Sequence, residues 1–336
     1  MIEYKSLKDI CSVHTGSQLN RDDMIEDGKY PVINGGRVPS GFTNTANEKG
    51  QCITISQGGE SAGFVNWIST DFWAGAHCFV LDNYKVDRRF LYHLLKSKEE
   101  KIKETKQGAG IPGINKVNLL RFVVPVPSPP NQKVLVDKLD SFTDLISKLD
   151  EEIELRKKQF DYYRGFFFRN LGSSVSLREV AKIMNGKDYK SKDLGNIPVY
   201  GSGGVMTFID SSLYNGPSVL LPRKGSVEKI YYVDSPFWTV DTIYWTIIDS
   251  KLIMPKFLYY ALLNYNLKNY ALEGGIPSLT QNILYRLQIP LTTLTTQQTI
   301  VERLDTFTSL ISKLQEERDL RQKQYEYYRE KLLTFE

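Results

Sequence analysis

The feature that most constrains this chain is that it is written twice. The stretch "FTDLISKLDEE" begins at Phe142, and "FTSLISKLQEE" begins at Phe307, 165 residues later. At the same offset "NQKVLVDKLDSFTDLISKLDEEIELRKKQFDYYR" (131–164) meets "TQQTIVERLDTFTSLISKLQEERDLRQKQYEYYR" (296–329), with more than half the positions identical. Upstream, "DFWAGAHCFVL" (71–81) answers "PFWTVDTIYWT" (236–246), "YPVINGG" (30–36) answers "IPVYGSGG" (197–204), and "LKDICSVHTG" (7–16) answers "LREVAKIMNG" (177–186). One unit of about 165 residues is therefore duplicated in tandem. Two copies are too few for a solenoid, which needs at least three to bury a continuous core.

Each copy ends in a helical pattern. Apolar residues recur in alternating steps of four and three at Leu135, Leu139, Phe142, Ile146, Leu149 and Ile153, and at Ile300, Leu304, Phe307, Ile311 and Leu314 in the second copy. Such spacing with Glu and Lys between is the coiled-coil signature. The expected seam is Leu139, Phe142, Ile146 and Leu149 with Leu304, Phe307, Ile311 and Leu314. A helix of about 35 residues reaches about 50 Å, longer than a compact domain needs. The second globular unit starts almost directly after the first helix, so antiparallel pairing is expected. Leu145, Ile146 and Leu149 would then pack against Leu310, Ile311 and Leu314.

Ahead of each helix, short β-like runs ("QCITIS", "GFVNWI", "HCFVL", "RFVVPVP"; "SVLLPR", "KIYYVD", "TIYWTII") alternate with turns, and one helical stretch follows at 87–104 and at 254–271. The expected fold class is α+β: two pseudo-two-fold-related domains of mixed or antiparallel β-structure with helices, separated by a long antiparallel two-helix coiled coil. The boundaries read 1–128 (domain 1), 129–171 (helix 1), 172–294 (domain 2) and 295–336 (helix 2).

Composition narrows the function. Hydrophobic content of 41% and charged content of 24% are ordinary for a globular protein, and a net charge of +4 leaves no general polycation. Three scattered cysteines without a CxxC argue for a reducing compartment and against structural zinc. There is no secretion signal and no run of about 18 apolar residues, so a cytoplasmic location without membrane contact is expected. Catalytic motifs are missing: no GxxxxGK[ST], no HExxH, no GxSxG, and no [ND]PP[YF] of adenine methyltransferases, since "SPPN" has neither the acid nor the aromatic. His14, His77 and His93 have no counterparts in the second copy. No catalytic residue and no metal site is expected. Glycine-rich loops recur at matching places instead, "NGGR" (34–37) with "YGSGG" (200–204), "SQGGES" (56–61) with "PRKGSV" (222–227), and "KQGAGIPG" (106–113) with "LEGGIPS" (272–278). Arg37, Gln57, Arg223, Lys224 and Ser226 give them the donors and acceptors that contact bases and phosphates.

The order "IPVYGSGGVMTFID", "GPSVLLPRKGSV", "PFWTVDTIYW", "PKFLYYALL", "GGIPSLTQNIL" and "IPLTTLTTQQTIVERLD", followed by the helix, resembles the DNA-specificity subunit of type I restriction–modification systems over essentially the whole chain. The first copy is more divergent, with "QGGESAG" in place of the "RKG" stretch. The resemblance implies a subunit without catalysis in which each target-recognition domain reads one half of a bipartite double-stranded DNA site. It implies docking of methyltransferase subunits, two in most systems, and through them a restriction/translocase subunit. The cofactors S-adenosylmethionine, ATP and Mg would then sit on the partners and none on this chain. The specificity subunit of a type IIB-like enzyme, and a coiled-coil structural adaptor without DNA specificity, are the alternatives. Candidate DNA contacts are Asn34, Arg37, Ser56, Gln57 and Lys106 in the first domain, and Tyr200, Ser202, Arg223, Lys224 and Ser226 in the second. Trp73 and Trp238 are expected in the core, and Lys148, Arg164, Lys313 and Arg329 on faces that meet partners.

Overall fold

The computed structural model describes residues 2–106, 113–272 and 275–335. The repeated glycine-rich stretches at 107–112 and 273–274 lie outside the described residues. The chain divides into two compact units, 1–150 with 316–336, and 151–315, so each boundary falls inside a long helix.

The first unit opens with β1 (Glu3–Ser6), α1 (Leu7–Ile10) and β2 (Ser12–Thr15). Six short strands follow: β3 (Tyr30–Ile33), β4 (Gly41–Thr43), β5 (Cys52–Ser56), β6 (Val65–Ile68), β7 (Trp73–Ala74) and β8 (Cys78–Asp82). Then come α2 (Arg88–Ser97), α3 (Glu99–Lys103), α4 (Lys116–Arg121), β9 (Val123–Val126) and the start of α5 (Pro129–Arg169). The second unit repeats the order: β10 (Ser173–Ser176), α6 (Leu177–Val180), β11 (Ala181–Asn185), β12 (Leu194–Gly201), β13 (Gly204–Ile209), β14 (Tyr214–Asn215), β15 (Ser218–Pro222), β16 (Tyr231–Val233), β17 (Pro236–Thr239) and β18 (Ile243–Ile248). It closes with α7 (Pro255–Leu262), α8 (Gln281–Tyr285), β19 (Gln288–Leu291) and the first part of α9 (Leu294–Leu332).

The sheets match strand for strand, except that β14 adds an edge strand in the second unit. The order β2-β8-β5-β6 in one unit is β11-β18-β15-β16 in the other, β4-β3-β7 becomes β13-β12-β17-β14, and β1-β9 becomes β10-β19. The β3–β7 and β12–β17 pairs are parallel, and the other pairings are antiparallel. β5 and β15 are buried at every residue, which is why "CITIS" and "SVLLP" read as continuous runs rather than alternating ones. The indoles donate in the same way in both copies, Trp73 to the Ser17 carbonyl (3.0 Å) and Trp238 to the Lys187 carbonyl (2.9 Å). The glycine before each acceptor is dictated by space. A Cβ on Gly16 would lie 2.3 Å from the Ala74 carbonyl oxygen, and one on Gly186 would lie 2.0 Å from that of Val240.

Each unit is clamped to its own stretch of long helix by two side chains at repeated positions. Gln132, buried in α5, accepts from the Asp87 amide (2.9 Å) and donates to the Pro127 carbonyl (2.8 Å). Gln297 in α9 does the same with the Met254 amide (2.8 Å) and the Leu252 and Thr292 carbonyls. One residue of each pair precedes α2 or α7, so the glutamine pins the start of the long helix to the start of the shorter one. About two turns further on, Asp140 accepts from Arg89 Nε and His93 Nε2, both at 2.7 Å. Asp305 accepts from Lys256 (2.8 Å) and Tyr260 (2.5 Å) in the second unit. His93 also meets the Tyr325 hydroxyl (3.0 Å), and Tyr260 packs edge-on against Phe160.

Two expectations are corrected. The helical stretch expected over 87–104 is interrupted at Lys98 (φ −103°, ψ 13°), and the one expected over 254–271 ends at Leu262. Behind α7, the Asn264 side chain donates back to the Tyr260 and Ala261 carbonyls and closes the last turn. The second correction is the stagger of the seam. In the first unit Phe142 stacks on Tyr328 and Asp150 binds Arg318 (3.0 Å), an antiparallel arrangement. Residues 145–149 therefore lie opposite a stretch between 318 and 328, not opposite Leu310, Ile311 and Leu314. In the second unit Tyr163 stacks on Phe307 and Arg303 lies over Phe167, again antiparallel. Leu139, Ile146 and Leu304 are buried, Phe142, Leu149, Phe307, Ile311 and Leu314 are half-buried, and Leu145 and Leu310 are exposed.

Candidate nucleic-acid interface

The loops at one end of the sheets gather the polar candidates. In the first unit the Gln57 amide donates to the His77 carbonyl (2.9 Å), and the Gln57 carbonyl accepts from the Ile114 amide (2.7 Å). The His77 amide in turn donates to the Asn34 side chain (3.3 Å). Three chain segments far apart in sequence are thus tied at one place. In the second unit the Arg223 amide donates to the Thr242 carbonyl (3.0 Å), and its carbonyl accepts from the Leu279 amide (2.8 Å). Gln57 and Arg223 occupy one backbone frame with two different side chains. The same holds for His77 and Thr242.

Around Arg223 the second-unit candidates come together. The Ser202 amide donates to Thr242 Oγ1 (3.2 Å), and the Tyr231 hydroxyl donates to the Ser202 carbonyl (3.2 Å). Tyr200 lies against Tyr231 at 5.9 Å between ring centroids. Burial raises the pKa of both phenols, which stay protonated and act as donors. The Arg223 guanidinium donates to the Asp241 carbonyl (3.2 Å) and leans on the Tyr244 ring. Lys224 and Ser226 are exposed at the tip of the same loop. Such an array of short donors on a glycine-bearing frame can follow base edges and phosphates.

The first-unit candidates divide. Asn34 braces the loop through its side chain, while Gln57 is half-buried at the tip and Arg37 is exposed with its guanidinium over the Phe64 ring (5.9 Å). Ser56 is corrected: it is buried as the last residue of β5, with its hydroxyl turned to the Gly58 carbonyl, and does not face outward. Its loop-like flank "SQGG" hid a strand end. Lys106 bonds through its amide to the Lys103 carbonyl, and no contact joins it to the other candidates among the described residues. Sequence reasoning misses His77, an exposed residue whose backbone links Asn34 to Gln57. Its only signal is the match of "GAH" to "VDT" in the repeat. It also misses the exposed apolar residues of β13, Val205, Met206 and Phe208. Among the described residues there is no His, Cys, Asp or Glu cluster that could hold a metal ion, and no helix long and apolar enough to cross a membrane.

Comparison with known proteins agrees with this geometry. The family model of the type I restriction modification DNA specificity domain matches residues 2–155 and again 173–321. A protein of Mycoplasma pneumoniae named as a type I specificity subunit is 31% identical over 258 residues, covering 70% of this chain and 68% of its own. One of Haemophilus influenzae named as a type I restriction enzyme specificity subunit is 26% identical over 377 residues, covering 99% and 96%. The crystal structure of a type I restriction-modification S subunit from M. genitalium superimposes with a TM-score of 0.68 at 20% identity, covering 100% of this chain and 97% of that one. With two such domains spanning most of its length, the chain belongs to the type I restriction–modification DNA-specificity family.

Proposed function

We propose that the chain is the target-reading subunit of a type I restriction–modification complex, with one half of a bipartite duplex site read by each unit. The observation that carries this reading is the repeated loop frame with unlike side chains. Gln57 and Arg223 make the same backbone bonds, and so do His77 and Thr242, yet their side chains offer different donors and acceptors. A glutamine amide pairs with adenine N6 and N7, and a guanidinium with guanine O6 and N7. A backbone frame repeated to that degree, carrying unlike side chains at its loop tips, suits two different half-sites.

The chain's own residues supply binding and orientation and no chemistry. Gln132 with Asp140, and Gln297 with Asp305, fix each globular part on its helix, so that base contacts are presented from a rigid mount. Methyl transfer belongs to docked methyltransferase subunits carrying S-adenosylmethionine, two by the family pattern. ATP and Mg belong to a restriction/translocase subunit. Lys148 and Lys313, exposed at repeated positions of the long helices, are offered as partner contacts.

The test is to co-express the chain with its methyltransferase partner and map methylated adenines by sequencing. A bipartite motif is expected, and exchanging residues 1–128 for those of another family member should change one half only. A continuous motif, or one changed in both halves, refutes the reading.

A further inference from the structure

The two copies treat one arginine differently. In the second unit Arg164 is satisfied: Nε donates to the Asn264 side chain (3.3 Å), and Nη2 pairs with Asp161 (3.0 Å). In the first unit the repeat places Arg329 at this position, with Ser97 in place of Asn264 and Glu326 in place of Asp161. Ser97 turns its hydroxyl to the Leu94 carbonyl (2.8 Å). Arg329 Nε is buried with no hydrogen-bond partner, and the guanidinium has no ion pair among the described residues. An orphaned buried donor costs about 1–3 kcal/mol, so its persistence in one copy and repair in the other asks for an acceptor.

Arg329 lines a cleft of about 790 Å³ within the first unit, walled also by Arg37, Tyr92, Lys96, Arg318 and Tyr325. Five basic and three acidic side chains face this space. Two of the carboxylates, Glu99 and Glu100, are already engaged by Lys96 and Lys103, and the third, Glu326, accepts from the Gln322 side chain (2.6 Å). Arg318 is held by Asp150 and Asp319. Arg37 and Arg329 remain as guanidinium groups without an anion. Arg37 also ends the 34–37 loop, whose Asn34 is tied to His77 and through it to Gln57. The cleft is thus continuous with the proposed base-reading loops.

We propose that this cleft receives a backbone phosphate of the duplex beside the first half-site, held by Arg329 and Arg37. This rests on the DNA-reading function given above and adds to it a contact that carries no sequence information. A carboxylate from a protein partner would satisfy the same fork. Continuity with the loops favours the phosphate, because Arg37 both ends the 34–37 loop and lines the cleft. The second unit has filled the equivalent position from within, so the anchor is one-sided and fixes register from one end of the site.

The test uses the complex assembled with its methyltransferase subunits, binding a target duplex and a scrambled duplex of equal length by fluorescence anisotropy from 50 to 300 mM KCl. Arg329→Gln and Arg37→Gln should each flatten the slope of log affinity against log salt by about 0.9, weaken both duplexes by the same factor and leave the methylated motif unchanged. Arg329→Lys should keep the slope, and Lys157→Gln, an exposed helix charge, should not alter it. A wild-type slope in Arg329→Gln overturns the proposal. So does loss of methyltransferase assembly with the slope intact, which would assign the cleft to a protein carboxylate. If the wild-type complex instead failed to prefer the target duplex at all, the reading of function would fall rather than this contact alone.

Discussion

Replacing Asp140 with Asn should destabilise the first unit more than Asp305→Asn destabilises the second. Asp140 accepts two charge-assisted bonds at 2.7 Å, from a guanidinium that is 19% exposed and an imidazole that is fully buried, and is itself 29% exposed. Both bonds end on Oδ1, so an asparagine can keep both contacts, but with a neutral acceptor each becomes about 1 kcal/mol weaker than its charge-assisted form. Summed over the two bonds, and with the guanidinium and imidazole largely shielded from water, the lost carboxylate charge should cost about 2 kcal/mol. Asp305 and Lys256 are 35% and 36% exposed, so water screens that pair. The Asp305→Asn side chain would keep the Tyr260 bond, and the loss should be about 1 kcal/mol or less. Urea unfolding followed by tryptophan fluorescence measures the difference. Trp67 stacks on Arg89 at 4.7 Å and reports on the first unit. With a slope of about 2–3 kcal/mol per molar, Asp140→Asn should lower the first-unit midpoint by about 1 M, and Asp305→Asn should move the second by less than half that. Equal shifts, or a larger one for Asp305→Asn, would show that burial of the pair does not set its worth. A double-mutant cycle with Arg89→Gln should return a coupling above about 1 kcal/mol.

Three further outcomes follow from the same contacts. Gln297→Leu leaves the Met254 amide and the Leu252 and Thr292 carbonyls unpaired, and should cost about 2–4 kcal/mol in a thermal or urea melt, whereas an exposed change such as Lys251→Gln should cost under about 0.5 kcal/mol. The pKa of His93 is lowered, first by burial and then by the charges of Arg89 and Arg329, against the Asp140 bond, so the ring is neutral, donating from Nε2 and accepting the Tyr325 hydroxyl at Nδ1. The unfolded chain takes up that proton near pH 6.5 and the folded chain does not, so first-unit stability should be full above about pH 6.5 and fall as pH drops below it, by up to about 1.4 kcal/mol per pH unit; the double change His93→Tyr with Tyr325→Phe, which installs the second unit's pair, should remove the slope in urea melts at pH 5 to 8. Arg223→Gln in the assembled complex should relax or change one base position in one half of the methylated motif and leave the other half intact, read by sequencing.

The repeat, the buried central strands and the two long helices are legible in the sequence because each is a periodic or self-similar signal. Ile53, Ile55, Leu220 and Leu221 announce buried strands, and the 4–3 spacing announces helices. What stays hidden depends on partners far away in the chain. Asp140 looks like an ordinary helix acid until the fold brings Arg89 and His93 to it. Gln132 looks like a solvated helix start, although it is buried and satisfied on both sides. Ser56 fails for the opposite reason, since its neighbours Gln57, Gly58 and Gly59 make a strand end look like an exposed loop. The stagger of the seam was also out of reach, because heptad spacing fixes which face a helix buries but not how far the opposing helix is shifted.

That stagger changes the meaning of the matching helices. If the two "LISKL" segments faced each other, their likeness would come from a shared seam, but each instead lies in a different unit in the same role. In the first unit Leu139 and Ile146 join the core formed by Phe90, Leu91 and Leu94, and in the second Ile300, Val301 and Leu304 join that of Phe257, Leu258 and Leu262. The later half of each helix belongs to the other unit, with Tyr325 in the first core and Phe168 in the second. Each long helix is therefore constrained twice, its first half by the globular part that precedes it and its second half by the core that it completes. The loop tips carry neither constraint. Gln57 and Arg223, or His77 and Thr242, can differ freely while their backbone bonds stay the same, and the difference between Ser97 and Asn264 leaves Arg329 without the internal partner that Arg164 has.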